Sequence, residues 1–252
     1  MSAIGMLVLV AMAVLLSENR KAINVRTVAV AFAIQAGFAA LVLYIPFGQK
    51  ALGAVSSGVQ LVINYADEGI IFLFGDLGRK KLGFIFAFNV LPVLIFFSAL
   101  VSVLYYLGIM QKVINVIGGS LKRLMGTGHA ESLSATANIF VSQTEAPLVV
   151  RPYIAVMTRS ELFAVMVGGM ASIAGSLLAG YANMGVELKY LIASSFMAAP
   201  GGLLMAKLIM PETQSPAIDI EQGSFNEEKP VNVIDAAAAG AVLEYYQATI
   251  TP

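Results

Sequence analysis

The sequence predicts an all-α integral membrane protein, and three observations carry that prediction. Of its 252 residues, 58% are hydrophobic and only 12% charged, whereas a soluble domain carries about a quarter charged residues; mean hydropathy is +0.83. Apolar runs of spanning length recur along the chain, and the alternating pattern of a transmembrane β-barrel is absent. Within one such run, residues 132–157, the polar group Gln143-Thr144-Glu145 is followed at once by Ala146-Pro147. A carboxylate at the centre of a spanning helix costs roughly 2.5–3.5 kcal/mol on insertion scales, and Pro147 removes a backbone donor and disfavours helix at Ala146. Both features fit a segment that enters the membrane, breaks and turns back, because irregular backbone at bilayer depth is tolerated where it lines a cavity or is buried in protein.

Composition also excludes several functions. A net charge of zero argues against a nucleic-acid-binding face. Cysteine is absent, so thiol chemistry and disulfides are excluded. Ser, His and Asp show no hydrolase-like spacing, and His129, the only histidine, reads as a solvated residue at a helix start. The glycines of GGSLKRLMGTG follow no strand, so a phosphate loop is not expected there. An intramembrane enzyme would need a partner for Glu145, and none is evident.

The elements follow in order. A first span covers residues 3–16; it lacks a basic n-region and a good cleavage site, so it reads as a retained helix rather than a signal peptide. A loop with Arg20, Lys21 and Arg26 precedes a second span over 27–44. By the positive-inside rule that loop is cytoplasmic. Residues 50–74, interrupted by Ser56-Ser57-Gly58 and Asp67-Glu68-Gly69, predict one or two interfacial helices. A third span covers 84–109, and its following loop carries Lys112, Lys122 and Arg123. Arg79, Lys80 and Lys81 in the preceding loop compete for the same side of the membrane.

Basic residues flank 132–157 on both sides, which predicts a segment returning to the side it left. Each arm has about 11 residues, roughly 16 Å as helix, or half of a ~30 Å hydrocarbon core. Residues 161–181 form an apolar segment in which Ala171, Gly175 and Ala179, and beside them Ser172, Ser176 and Gly180, make four-spaced small stripes that favour close helix approach. A span over 188–209 is expected to break at Pro200-Gly201-Gly202. Residues 211–230 are polar and acidic, an exposed loop.

Gln143, Thr144 and Glu145 offer an amide, a hydroxyl and a carboxylate where two half-helices meet, a set able to hydrogen-bond a polar, uncharged solute. The plainer reading is an exposed loop, or a carboxylate neutralised by an internal Arg. Asn138 stands five residues before Gln143, and Ser172 lies in the Gly-rich segment over 161–181; both carry oxygen ligands. They suit a dehydrated cation beside free carbonyls, and equally suit ordinary interhelical hydrogen bonds.

Read together, ATANIFVSQTEAPLVVRPY at 135–153, ELFAVMVGGMASIAGSLLAGYA at 161–182 and SSFMAAPGGLLMAKLIMPET at 194–213 resemble the concentrative nucleoside transporter family, its bacterial sodium-coupled members above all. The resemblance runs from the N-terminus to about Ala241. It implies scaffold-type membrane helices with interfacial helices over 1–110 and the first repeat of a transport domain over 111–210. That repeat would hold a re-entrant hairpin at about 131–158, a broken helix at about 161–182 and a span at about 188–209. A polar loop over 211–230 and an off-family tail over 231–252 complete the expected organisation.

The family further implies a homotrimer working by an elevator movement in the bacterial inner membrane, as a multi-pass protein with no enzymatic activity and no cofactor beyond its coupling ion. By the resemblance, Gln143, Thr144 and Glu145 contact the nucleobase and Leu177 makes an apolar contact to the nucleoside. Asn138 and Ser172 ligate sodium by side chains, Val141 and Ile173 by backbone carbonyls. Proton-coupled relatives tend to lack the Asn at the position of Asn138, so its presence favours sodium. Where the family continues into a second repeat with the ribose-binding groups, this sequence reads VLEYYQATITP and stops. The expectation is a truncated transporter, with a non-transporting membrane fragment and a proton-coupled transporter as the alternative readings.

Overall fold

A computed structural model describes residues 2–79, 81, 83, 85–141, 143, 146–173, 175–214 and 230–250. Among these every regular element is helical. Three stretches among the described residues are long and apolar enough to cross a membrane: Val25–Tyr44, Phe86–Tyr106 and Leu188–Ile209. The chain divides into two compact units, one formed by residues 1–39, 114–172 and 196–225 and the other by 40–113, 173–195 and 226–252.

The first unit opens with α1 (Ser2–Leu15). Its terminal carbonyls are capped by Arg20, whose Nε donates to Val14 O at 3.1 Å and Nη2 to Leu15 O at 2.8 Å, as a cation at a helix C-terminus should. Asn24 opens α2 (Val25–Tyr44), its Oδ1 accepting from the Arg26 and Thr27 amides, the usual N-cap role. The same unit holds residues 114–125 of α6 (Ile109–Met125), then α7 (His129–Ala137), α8 (Ala146–Val149), a 3₁₀ turn at Arg151–Val156, α9 (Arg159–Ala171) and residues 196–209 of α11 (Leu188–Ile209). Its apolar core gathers Ala31, Leu121, Met125, Ala135, Ile139, Ala164, Leu203 and Leu208.

Pro200 does not break α11, contrary to the sequence-based expectation; the helix is continuous through Pro200-Gly201-Gly202. Proline denies a donor to the carbonyl four residues back. Here the side chain of Gln35 supplies a donor in that turn, its Nε2 reaching Met197 O at 3.0 Å. Gly201 makes room for it: a Cβ there would overlap Gln35 Nε2.

The second unit contains α3 (Pro46–Phe74), α4 (Phe86–Asn89), α5 (Leu91–Tyr106), α10 (Gly175–Asn183) and α12 (Val233–Ile250). α3 is one unbroken helix of 29 residues, about 44 Å long. The Ser-Ser-Gly and Asp-Glu-Gly groups do not interrupt it, because single glycines cost a helix only about 1 kcal/mol each. The third span divides at Asn89, which is buried; its Oδ1 accepts from Ile85 N at 2.8 Å and its Nδ2 donates to Gly78 O at 3.3 Å. Phe84, the first residue of that expected span, lies outside the described residues.

The tail over 231–252, expected to be off-family, is largely helical. In α12, Ala236 and Gly240 are buried one turn apart, a small-residue face of the kind that permits close approach. Gly240 O accepts from Ser98 Oγ of α5 at 2.9 Å, and a Cβ on Gly240 would sit 2.6 Å from both Ser98 O and Ser102 Cβ.

Candidate functional site

α7 reads HAESLSATA, and every residue from Ala130 to Ala137 is buried. Small side chains let this polar helix pack closely, and most of its hydroxyls are consumed by its own backbone. Ser132 Oγ donates to Gly128 O and Thr136 Oγ1 to Ser132 O, both at 2.8 Å, the usual i−4 bonding of a buried helical hydroxyl. The helix ends at Asn138, whose N–H still reaches Ser134 O. Ile139, Phe140 and Val141 then tighten into a turn on the Thr136 and Ala137 carbonyls.

The chain returns as α8, packed against α7, with Ala146 fully buried at its start. Pro147 lies in the first turn of this helix, where its missing N–H costs nothing. The proline therefore starts the return arm as well as ending the turn. That arm is mostly 3₁₀ rather than the expected α-helix, with Pro152 in its first turn.

The helix over 161–182 is broken as expected, between α9 and α10. Ser172 takes an extended conformation (φ −111°, ψ 158°). The small-residue stripes read across 171–180 are therefore not one helical face. The close approaches are made instead by Gly168 and Gly169: a Cβ on Gly168 would stand 3.1 Å from Asn138 Nδ2, and one on Gly169 would stand 3.4 Å from Gln143 Cβ. α9 thus presents bare backbone to the turn that follows α7.

Asn138 is buried, yet neither Oδ1 nor Nδ2 has a hydrogen-bond partner among the described residues. Ser172 Oγ donates to the carbonyl of Gly168, the residue that lies against the Asn138 amide, at 2.9 Å, which leaves that hydroxyl's lone pairs available. Val141 is buried at the end of the turn, and Gln143 is exposed. Thr144 and Glu145 lie outside the described residues. Ile173 and Leu177 fall in the second unit, Leu177 being 39% exposed. An orphaned amide oxygen at the end of one helix, with Gly168 of a helix that breaks at Ser172 close to the same amide, suits an oxygen-liganded cation.

Three family models match successive parts of the chain: the N-terminus of sodium-dependent nucleoside transporters over residues 4–77, a nucleoside-recognition gate over 87–187, and the transporter C-terminus over 190–249. The chain belongs to the sodium-dependent nucleoside transporter family. The nucleoside permease NupC of Helicobacter pylori is 52% identical over 246 residues, covering 95% of this chain and 58% of that protein. An uncharacterized transporter of Haemophilus influenzae is 63% identical over 242 residues, covering 95% of this chain and 58% of its own. Sodium/nucleoside cotransporter 1 of Mus musculus is 41% identical over 228 residues, 90% of this chain and 35% of that protein.

A solved structure of CNTnw in an inward-facing, substrate-bound state superposes with a TM-score of 0.95 at 59% identity, covering 99% of this chain and 61% of that one. The chain thus spans about three-fifths of the bacterial relatives it matches. This is a transporter family, not an enzyme family. Its C-terminal model runs on to residue 249, through most of α12, so similarity does not stop near Ala241.

Sequence reading missed one feature of this transporter-family chain. Lys207, buried near the end of α11, lies 2.8 Å from Glu131 Oε2, 2.9 Å from Ser160 Oγ and 3.4 Å from Glu212 Oε2. Glu131 is itself 1% exposed and accepts from Gly128 N. Thr158 caps α9 together with Glu161 in a capping box and donates to Glu212 at 2.8 Å. The N-termini of α7 and α9 are thereby tied to the C-terminal end of α11. Two signals were available: the T-x-x-E spacing of Thr158 and Glu161, and a lysine within an apolar span, which is rarely idle.

Proposed function

We propose that this chain carries the cation- and base-binding part of a sodium-coupled nucleoside symporter of the bacterial inner membrane. The observation that supports this most is the buried amide of Asn138, unpartnered among the described residues and close to Gly168, in a chain whose relatives include a nucleoside permease and sodium/nucleoside cotransporters. On this reading Asn138 Oδ1, Ser172 Oγ and the Val141 and Ile173 carbonyls ligate sodium. Gln143, Thr144 and Glu145 hydrogen-bond the nucleobase, and Leu177 packs on the nucleoside.

Sodium has a direct mechanical effect here. It bridges the turn after α7 to the break after α9 and so fixes the backbone that presents Gln143. A nucleoside then meets an ordered set of partners, and the two ligands favour each other's binding. One charge moving through 100 mV contributes about 2.3 kcal/mol, enough for roughly fiftyfold accumulation. Residues 131–158 form a re-entrant hairpin in this scheme, carried by an elevator movement within a homotrimer.

The test is uptake of radiolabelled uridine and adenosine by a transport-deficient bacterial host expressing the gene that encodes this sequence. Uptake should need sodium and be lost in Glu145→Gln. Uptake unchanged when choline replaces sodium would overturn the reading.

A further inference from the structure

Six hydroxyls lie along α7, α9 and their caps and breaks: Ser132, Ser134, Thr136, Thr158, Ser160 and Ser172. Five of them hydrogen-bond, to carbonyls or carboxylates. Ser134 alone does not: it is fully buried and its Oγ has no partner among the described residues. Its neighbours Ser132 and Thr136 both bond the carbonyl four residues back, so this helix supports that geometry. A buried hydroxyl that forgoes such a bond calls for an explanation.

The explanation lies one turn on. Asn138 N–H bonds Ser134 O at 3.0 Å, so the two residues are stacked at i and i+4 and share one face of α7. The three polar atoms of their side chains, Ser134 Oγ and Asn138 Oδ1 and Nδ2, are all buried and all without partners. An amide that turns its oxygen to a cation must still place its two N–H donors. Gly168 crowds one side of that amide and offers it no side chain.

We propose that Ser134 is a positioning residue for the cation: once Asn138 Oδ1 turns to the ion, Asn138 Nδ2 donates to the Ser134 hydroxyl, a bond that neither atom makes in this structure, and the amide is held in that orientation. This rests on the sodium site proposed above. The cation polarises the amide and strengthens the N–H···O bond, as charge assistance does generally. Ser134 never touches the ion, and its effect is on sodium affinity.

The experiment is thermal unfolding of the detergent-purified protein across a sodium titration, with N-methylglucamine holding ionic strength constant. Sodium should raise the melting temperature of the wild type, since a ligand that binds only the folded state stabilises it. Asn138→Ala should abolish that response. Ser134→Ala should move the half-saturating sodium concentration up by about two- to tenfold, the worth of one hydrogen bond. Its melting temperature without sodium should be unchanged or higher, because an unpaired hydroxyl has been removed.

Ser132→Ala, which deletes a satisfied hydroxyl, should do the reverse: lower stability with half-saturation unaltered. If Ser134→Ala titrates like the wild type while Asn138→Ala does not respond, the role of Ser134 is refuted and the sodium site stands. If the wild type shows no sodium response, both are refuted.

Discussion

Replacing Lys207 by methionine removes the cation 2.8 Å from Glu131 and leaves that carboxylate 1% exposed inside the first unit. At 2.8 Å, and with an effective dielectric of about 20, the lost attraction is about 6 kcal/mol. Relaxation and altered desolvation reduce what is measured, and breaking one side of a buried pair costs about 3–5 kcal/mol. Glu131→Gln alone keeps an acceptor for the Gly128 amide and should cost less, about 2 kcal/mol. The double variant Lys207→Met, Glu131→Gln leaves no buried charge at this pair and should recover part of the loss. The coupling is the cost of Glu131→Gln plus whatever the double variant recovers, so the cycle should show about 3 kcal/mol, at the upper end of the range found for residues in direct contact.

Unfolding of the purified protein in mixed micelles, titrated with a denaturing detergent, measures all four corners of this cycle. Additivity within about 0.5 kcal/mol would show that the pair is not energetically joined. So would a cost below about 1 kcal/mol for Lys207→Met. Either result removes the idea that this cluster braces the roots of α7 and α9.

Two glycine substitutions probe the close approaches elsewhere. Gly168→Ala puts a methyl 3.1 Å from Asn138 Nδ2, so it should raise the half-saturating sodium concentration severalfold in the same thermal titration, with a stability change of about 1 kcal/mol. Gly240→Ala places a methyl 2.6 Å from Ser98 O and Ser102 Cβ; it should destabilise by about 1–3 kcal/mol and speed hydrogen exchange along α12 while leaving sodium half-saturation unchanged.

Much of the helical skeleton was legible because its cause is local. A run of about twenty apolar residues is a spanning helix whatever surrounds it, so α1, α2, α5 and α11 fall close to their expected places. The Gln143-Thr144-Glu145 group beside Pro147 marked the turn after α7 for the same reason, since a polar group and a helix breaker at membrane depth need a special setting. The resemblance then pointed to Asn138 and Ser172, which spacing alone left open between an ion site and ordinary hydrogen bonds.

Errors arose where a distant partner changes the local preference. Pro200 reads as a break, but Gln35 supplies a hydrogen bond in the affected turn. The segment over 231–252 reads as an off-family tail, yet the C-terminal family model runs to residue 249 and α12 packs on α5, with Ser98 bonding Gly240 O. The small-residue stripes were counted through a break, whereas the working contacts belong to Gly168 and Gly169.

The sequence by itself determined that this is an all-helical membrane protein with a polar turn in an apolar run, because hydropathy and proline act through neighbours a few residues away. Tertiary structure decided which polar atoms are satisfied. Lys207 finds Glu131 and Ser160, while Ser134 and Asn138 find no partner among the described residues. Hydrogen-bond satisfaction depends on atoms brought together from remote parts of the chain, so only the folded chain distinguishes a buried polar group that is paired from one that is not.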